Sequence, residues 1–267
     1  PTMLNIVSRL KGFEVQATDG VLGTVSDFLF DDSSWKVRWM VVDTGLWLSG
    51  RKVLVHPSAV VSTEYGPGQM IVALKKAQVE GSPDISQDSP VSRQTQNDIY
   101  SYYCWDPLWG GAMFGPGQHG GPMYGGVARG AIASPLSAPV YFGATAVREA
   151  ERGEVGPDDG DPHLRSMAEV TGYHVHATDG HIGHVEDFLV ERDTWGVRYL
   201  VVDTSNWWIG QHVLISPHAV TDVAWSDRHI GLNIGQGTVR SSPPWNSTNT
   251  ITGTFEKELR KHYDWPA

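Results

Sequence analysis

The sequence predicts a mainly β protein: two small antiparallel β-barrels in tandem, each with a short C-terminal helix, joined by a long Gly-, Pro- and aromatic-rich linker. Two observations carry this expectation. The chain repeats itself: residues 12–60 (GFEVQATDGVLGTVSDFLF…VLVHPSAV) return without a gap, about half identical, as residues 172–220 (GYHVHATDGHIGHVEDFLV…VLISPHAV), so residue n corresponds to residue n + 160. Copies this far apart signal duplication of a whole folding unit rather than a solenoid. Within each copy, short runs of period two follow one another closely between turn residues, the pattern of a small barrel or sandwich.

Phe13, Val15 and Ala17 alternate with Glu14 and Gln16, which predicts a half-buried strand. Asp19-Gly20 is a short-turn signal. Val21–Phe30 is the second strand, with Gly23 as a bulge or a point of close backbone approach. After a turn at Asp31–Ser34, Trp35–Asp43 forms a third strand, with Val37, Trp39 and Val41 on one face and Lys36 and Arg38 on the other. Thr44–Gly50 is a loop carrying Trp47. Arg51–His56 is a fourth strand, ended by Pro57, which cannot donate to a ladder, and Met70–Leu74 is a fifth. The second copy repeats the scheme through Tyr173, Val175 and Ala177, then Asp179-Gly180, then Val197, Tyr199 and Val201, then Val213 and Ile215.

Each barrel carries a tail. Pro90–Tyr103 and Thr252–Tyr263 read as helices, the latter with opposed charges at helical spacing in Phe255–Arg260. The expected boundaries are 1–105 for the first barrel and tail, 106–164 for the linker, and 165–267 for the second barrel and tail. Flexible linkers are Gly/Ser-rich and polar. This one keeps Trp109, Phe114, Met123 and Tyr124 on a permissive backbone, so it is expected to be ordered on a partner.

A length of 267 residues allows two domains, each with its own core. The net charge of −10 argues against an extended nucleic-acid interface and against attraction to anionic lipid. A single cysteine, Cys104, excludes an internal disulfide and fits a reducing compartment. The N-terminal residues lack the apolar run of a signal peptide, and the uncharged stretches 107–128 and 130–147 are broken by Gly and Pro, so no membrane span is expected. A chain starting at Pro1 reads as one that lost its initiator Met, which points to the cytosol.

No catalytic constellation stands out. Asp19, Asp27 and Asp43 recur as Asp179, Asp187 and Asp203, but Asp-Gly turns and strand ends are places where carboxylates bond nearby backbone. Arg38 and Arg198 are each expected to form an ion pair with one of those aspartates. Phosphate loops, CxxC pairs and catalytic triads are missing, since GGVARG lacks the Gly-Lys-Ser/Thr ending. The second copy is His-rich. His174 and His176 point to one face of a strand, and His181 and His184 follow across the turn, where the first copy has Glu14, Gln16, Val21 and Thr24; this makes the four candidates for a metal or proton role. No Cys or carboxylate joins them at a recognised ligand spacing, so no metal or cofactor is expected. Tryptophan and tyrosine are favoured at interface cores. Trp47, Trp109, Phe114, Tyr124, Trp207 and Trp208 are therefore the expected partner-binding residues, while Trp35 and Trp195 are expected to cap their own barrels.

The ATDG turn, GxVxDFL, WxVRxxVVDT and VLxxPxAV motifs, present in both copies, resemble the PRC-barrel domain over residues 5–80 and 165–240. That domain occurs in the cytoplasmic part of the H subunit of purple-bacterial photosynthetic reaction centres and in a ribosome-maturation factor. The resemblance implies a small, mostly antiparallel barrel used for binding and assembly rather than catalysis. Unlike the H subunit, this sequence shows no N-terminal membrane helix; unlike the ribosomal factor, it has two barrels. The expectation is a non-enzymatic assembly subunit, cytoplasmic and peripheral on the inner membrane through protein partners, most concretely an accessory subunit of a photosynthetic reaction centre–light-harvesting complex. The alternatives are a ribosome-assembly or RNA-processing factor, for which a basic stripe is lacking, and a free-standing stress or metal-binding protein using the His-rich face.

Overall fold

In the computed structural model, which describes residues 3–82, 91, 93–105, 161, 163–204, 211–247 and 251–265, the alternating segments become strands close to the expected places. The first unit runs β1 (Leu4–Ile6), α1 (Val7–Leu10), β2 (Glu14–Ala17), β3 (Gly20–Asp31), β4 (Lys36–Asp43), β5 (Lys52–Val55), β6 (Val60–Glu64), β7 (Gln69–Val72), α2 (Lys76–Glu80) and α3 (Arg93–Tyr103). The second runs β8 (Leu164–Ser166), α4 (Met167–Val170), β9 (His174–Ala177), β10 (Gly180–Glu191), β11 (Val197–Asp203), β12 (His212–Ile215), β13 (Val220–Ala224), β14 (His229–Leu232), α5 (Gln236–Arg240) and α6 (Gly253–Tyr263). Both tail helices form. The expected linker, apart from Asp161, His163 and Leu164, lies outside the described residues.

Each sheet holds seven strands, six of them in the order β5-β4-β3-β2-β7-β6 and its counterpart β12-β11-β10-β9-β14-β13. The expected antiparallel barrels are corrected in two respects. β7 lies parallel to β2, and β14 parallel to β9. The hydrogen-bonded path also ends at β5 and β6, and at β12 and β13, so neither sheet closes. Between those end strands the chain makes a 3₁₀ turn, Pro57–Ala59 or Pro217–Ala219. The proline has no N–H to give a ladder, and the turn carries the chain out of register.

The seventh strand of each sheet comes from the other unit. β1 pairs antiparallel with β10, Leu4 opposite Glu191 and Ile6 opposite Leu189. β8 pairs with β3 in the same way, Leu164 opposite Asp31 and Ser166 opposite Leu29. The units therefore exchange their leading strands, and α1 and α4 follow those strands onto the opposite sheet. Val7, Leu10, Met167 and Val170 are buried in one continuous core that includes Val15, Phe28, Phe30 and Met40 from the first unit and Val175, Phe188 and Leu200 from the second. Trp195 does not cap its own unit: its ring packs 5.8 Å from Phe28 of the first.

Close backbone approach explains Gly23 and Gly183. A Cβ on either would sit 2.0 Å from the carbonyl oxygen of Asp43 or Asp203, and both have positive φ, +151° and +149°. β4 does not keep Val37, Trp39 and Val41 on one face. A register shift opposite Leu29 and Phe30 moves Val37 with Met40 and Val42 into the shared core. Trp39 and Val41 turn to the other face, under α3, in a smaller cluster with Leu54, Ile99, Tyr100 and Leu164. Both faces of β4 are buried because the tail helix covers the outer one.

Candidate functional site

Pairing register turns the scattered histidines of the second unit into an array. Across five neighbouring strands, His212 pairs with Asp203, Asp203 with His184, His184 with His174, and His174 with His229. Two residues along, Asp222 pairs with Gly231, Gly231 with His176, and His176 with His181. Alternation places these side chains on the polar face while Val175, Val185 and Ile230 point into the core. His174 Nδ1 and His181 Nε2 are 3.3 Å apart. The His176 ring lies 5.4 Å from that of His181 and 5.5 Å from that of His229. Carboxylates bracket the array: His229 Nε2 is 3.4 Å from Asp222, His184 Nε2 is 3.7 Å from Asp203, and His212 Nε2 is 2.7 Å from Glu186.

Partial burial, and then the neighbouring His176, His174 and His184, push the His181 pKa below its ordinary value. At neutral pH this favours an unprotonated ring whose lone pair is available. Among the described residues no group of three or more His, Cys, Asp or Glu is placed to hold a metal ion. The four sequence candidates thus gather on one face, with His174 and His181 as its closest pair. His229 and His212 join through the strand order, which local sequence does not reveal.

Of the expected partner-binding residues, Trp47 alone is described; Trp109, Phe114, Tyr124, Trp207 and Trp208 lie outside the described residues. Trp47 sits on the 3₁₀ turn Gly45–Leu48. Its indole N–H donates to the Leu22 carbonyl, and Lys76 Nζ lies 5.1 Å from its ring centroid. Trp47 therefore packs on its own sheet and remains 36% exposed, while the adjacent Leu46 is 100% exposed. Sequence reasoning missed Leu46, because a single leucine in a loop carries no pattern. Trp245 is buried, its amide donating to the His212 carbonyl at 2.9 Å.

The duplicated carboxylates have structural partners. Asp43 accepts from the Gly45 amide at 2.9 Å, as a turn residue should. Asp19 and Asp179 reach beyond their own turns: they accept from the amides of Lys76 at 2.9 Å and Gln236 at 2.6 Å, in the first turns of α2 and α5. Asp27 accepts from the Ser166 hydroxyl and from the Ala168 amide at 3.0 Å, and Asp187 from the Ser8 amide at 3.1 Å. Both therefore secure the exchanged segment of the other unit. Arg38 pairs with Asp31 at 3.3 Å, and Arg198 with Glu191 and Glu256 at 3.7 Å, carboxylates outside the duplicated set in which a partner was expected.

One buried titratable group stands apart. His56, ending the β5 segment, is enclosed by Trp39, Tyr100 and Trp105, with ring centroids 5.6 to 5.7 Å away. Its Nδ1 lies 2.8 Å from the Ser58 hydroxyl. Burial, reinforced by the Arg38 charge, pushes its pKa down to about 3.

This geometry describes a duplicated, mainly β protein whose polar strand faces have diverged between its copies. Residues 5–79, the first copy, match the family model of the PRC-barrel domain. No match to a curated protein is found. No helix among the described residues is long and apolar enough to cross a membrane.

Proposed function

We propose that this chain is a non-catalytic assembly subunit that docks on the cytoplasmic face of a membrane complex. In its most concrete form it is an accessory subunit of a photosynthetic reaction centre–light-harvesting complex. The observation that carries the reading is the interlocking of two units into one core, which offers a partner two related faces in fixed relation. The PRC-barrel match over residues 5–79 supports it, and the exposed Leu46 beside the half-exposed Trp47 is a contact of the kind interfaces use. The test is gentle detergent extraction of native membranes, size separation, and mass spectrometry of the fractions containing the chain. Co-migration with a pigmented complex, reduced by Leu46→Asp in a folded variant, is the expected result. Recovery as a free protein alone overturns the reading.

A second reading rests on the histidine face. Zinc–imidazole bonds of about 2.0–2.1 Å set ligand nitrogens about 3.4 Å apart in a tetrahedral site. The His174–His181 separation of 3.3 Å is close to that. The pair is suited to bind a divalent transition metal weakly, with water filling the remaining positions. Titration calorimetry with Zn²⁺ alone tests this: binding in the micromolar range that His181→Ala removes supports it, and equal heats for both proteins reject it.

A further inference from the structure

The two units meet through a surface that has the anatomy of a dimer interface, although one chain supplies both sides. We infer that this surface, and not the connecting segment between Trp105 and Asp161, holds the units together. Each unit is then the specific partner of the other, and the partner can equally come from a second copy of this chain.

The exchange is reciprocal in detail. β1 completes the second sheet and β8 the first. The Asp32 amide donates to the His163 carbonyl at 2.9 Å, and at the matching place the Arg192 amide donates to the Met3 carbonyl at 3.0 Å. At the centre of the seam Lys36 bridges to Gly196. There the Val37 amide donates to the Trp195 carbonyl at 2.9 Å and the Val197 amide to the Trp35 carbonyl at 2.7 Å. Equivalent groups serve each other across a local twofold, as in an isologous dimer.

The side chains have the composition of an interface core. Phe30 packs on Phe188 at 5.6 Å, and Phe28 on Trp195 at 5.8 Å, all four buried. Around them, Asp32 takes His163 and Arg165, each at 2.7 Å. Separation would expose these rings, strip Asp32 of both His163 and Arg165 and leave the edges of β3 and β10 unpaired. Bare hydrophobic edges drive re-pairing or aggregation, so neither unit is suited to exist alone. Nothing in these contacts depends on the covalent link, which acts only by raising the local concentration of one unit around the other.

The experiment uses the full chain with one protease site introduced after Gly130 and cut after folding. The cut protein is expected to elute at the size of the uncut protein and to separate only in denaturant. In a second arm, two such preparations, one tagged on the first unit and one on the second, are mixed in urea and refolded together. Capture on the first tag is expected to bring down the second, showing pairs assembled between chains. Trp195→Ala is expected to keep the uncut chain folded while weakening association of its cut halves at least about tenfold, as loss of a central aromatic does. Halves that part on cutting, refolded mixtures without cross-tagged pairs, or cut Trp195→Ala halves that hold together as tightly as the parent would each overturn the inference.

Discussion

The backbone of Trp35 holds the strand that follows Trp195, and the backbone of Trp195 holds the strand that follows Trp35: Val197 and Val37 donate to their respective carbonyls at 2.7 and 2.9 Å. Both tryptophans have left-handed φ, +54° and +56°. That conformation is uncommon for a bulky residue and persists only where the surroundings enforce it. Here the enforcement is mutual. The tight turn before β4 presents its carbonyl outward only because β11 is there to use it, and the converse holds for β11. Local conformation, sheet extension and the union of the two units are one arrangement.

Asp27 is the carboxylate through which this union is most open to test. It receives the Ser166 hydroxyl and the Ala168 amide, so removing it orphans donors at the first turn of α4. Caps of this kind contribute about 1–2 kcal/mol, and charged acceptors lie at the upper end. Asp27→Ala is expected to lower the unfolding free energy by about 2 kcal/mol in urea titration. If the exchanged strands make one cooperative unit, tryptophan fluorescence and far-UV circular dichroism of the variant will still change together. Two separate transitions would contradict that.

Three glycines provide a graded test of backbone packing. Gly23→Ala and Gly183→Ala would drive a Cβ into a strand carbonyl 2.0 Å away, and the surrounding ladder is too stiff to yield. Each is expected to cost more than about 3 kcal/mol, the scale of severe core strain. Gly237 lies exposed in α5, with nothing within 4 Å of an added Cβ and no positive φ. Gly237→Ala is expected to stabilise by about 0.5–1 kcal/mol through helix propensity and a less free unfolded chain. Thermal melts of the three variants should therefore move in opposite directions; a shared direction would show that the steric account is wrong.

Local sequence pattern carries some features of this fold and not others. Gly23 was legible because a glycine amid Val21, Leu22 and Val25 has few explanations. Strand positions and tail helices were legible from periodicity and from the doubled copy. The exchange was not. Leu4–Ile6 and Leu164–Ser166 are three-residue strands with no period to measure, and the edges of β3 and β10 are too alike for pattern to say which segment goes where. Trp195 was misplaced for the same reason, since a large apolar residue in a turn reads as a cap on its own sheet. The histidine face was half legible: alternation put His174 and His176 together, but His229 arrives only through the parallel docking of β14.

Cys104 and Asp264 occupy matching positions at the ends of α3 and α6, both left-handed at φ +55° and +54°. Aspartate tolerates that region better than cysteine, and glycine better than either. Cys104→Gly is expected to raise stability by about 0.5–1 kcal/mol, readable as a shift in urea midpoint at unchanged slope. Asp264→Gly should gain less. A larger gain at Asp264 would mean that the two helix ends are not equivalent.

His56 supplies the pH dependence. Its folded pKa of about 3 lies below the ordinary histidine value of 6.5, chiefly because burial disfavours the charged ring and then because Arg38 repels it. Between these values the unfolded chain binds a proton that the folded chain refuses, so stability falls as pH falls. The contribution is complete above about pH 6.5 and is lost progressively down to about pH 3, amounting to at most about 5 kcal/mol at 1.36 kcal/mol per unit. Asp31 acts in a lower window. Burial raises its pKa, but the hydrogen bonds from Ser33 and Ser34 and the Arg38 charge outweigh this and hold it at about 2, against 3.8. Its contribution is lost only as pH falls below about 4. His56→Asn keeps an acceptor for the Ser58 amide, which His56 Nδ1 now receives at 3.3 Å, and removes the titration. Urea unfolding from pH 7 to pH 4 should show a steep decline for the parent and a flatter one for His56→Asn, even if the variant is less stable at pH 7. Parallel declines would place the acid sensitivity elsewhere, with the solvent-facing histidines of β9, β10 and β14 as the groups to replace next.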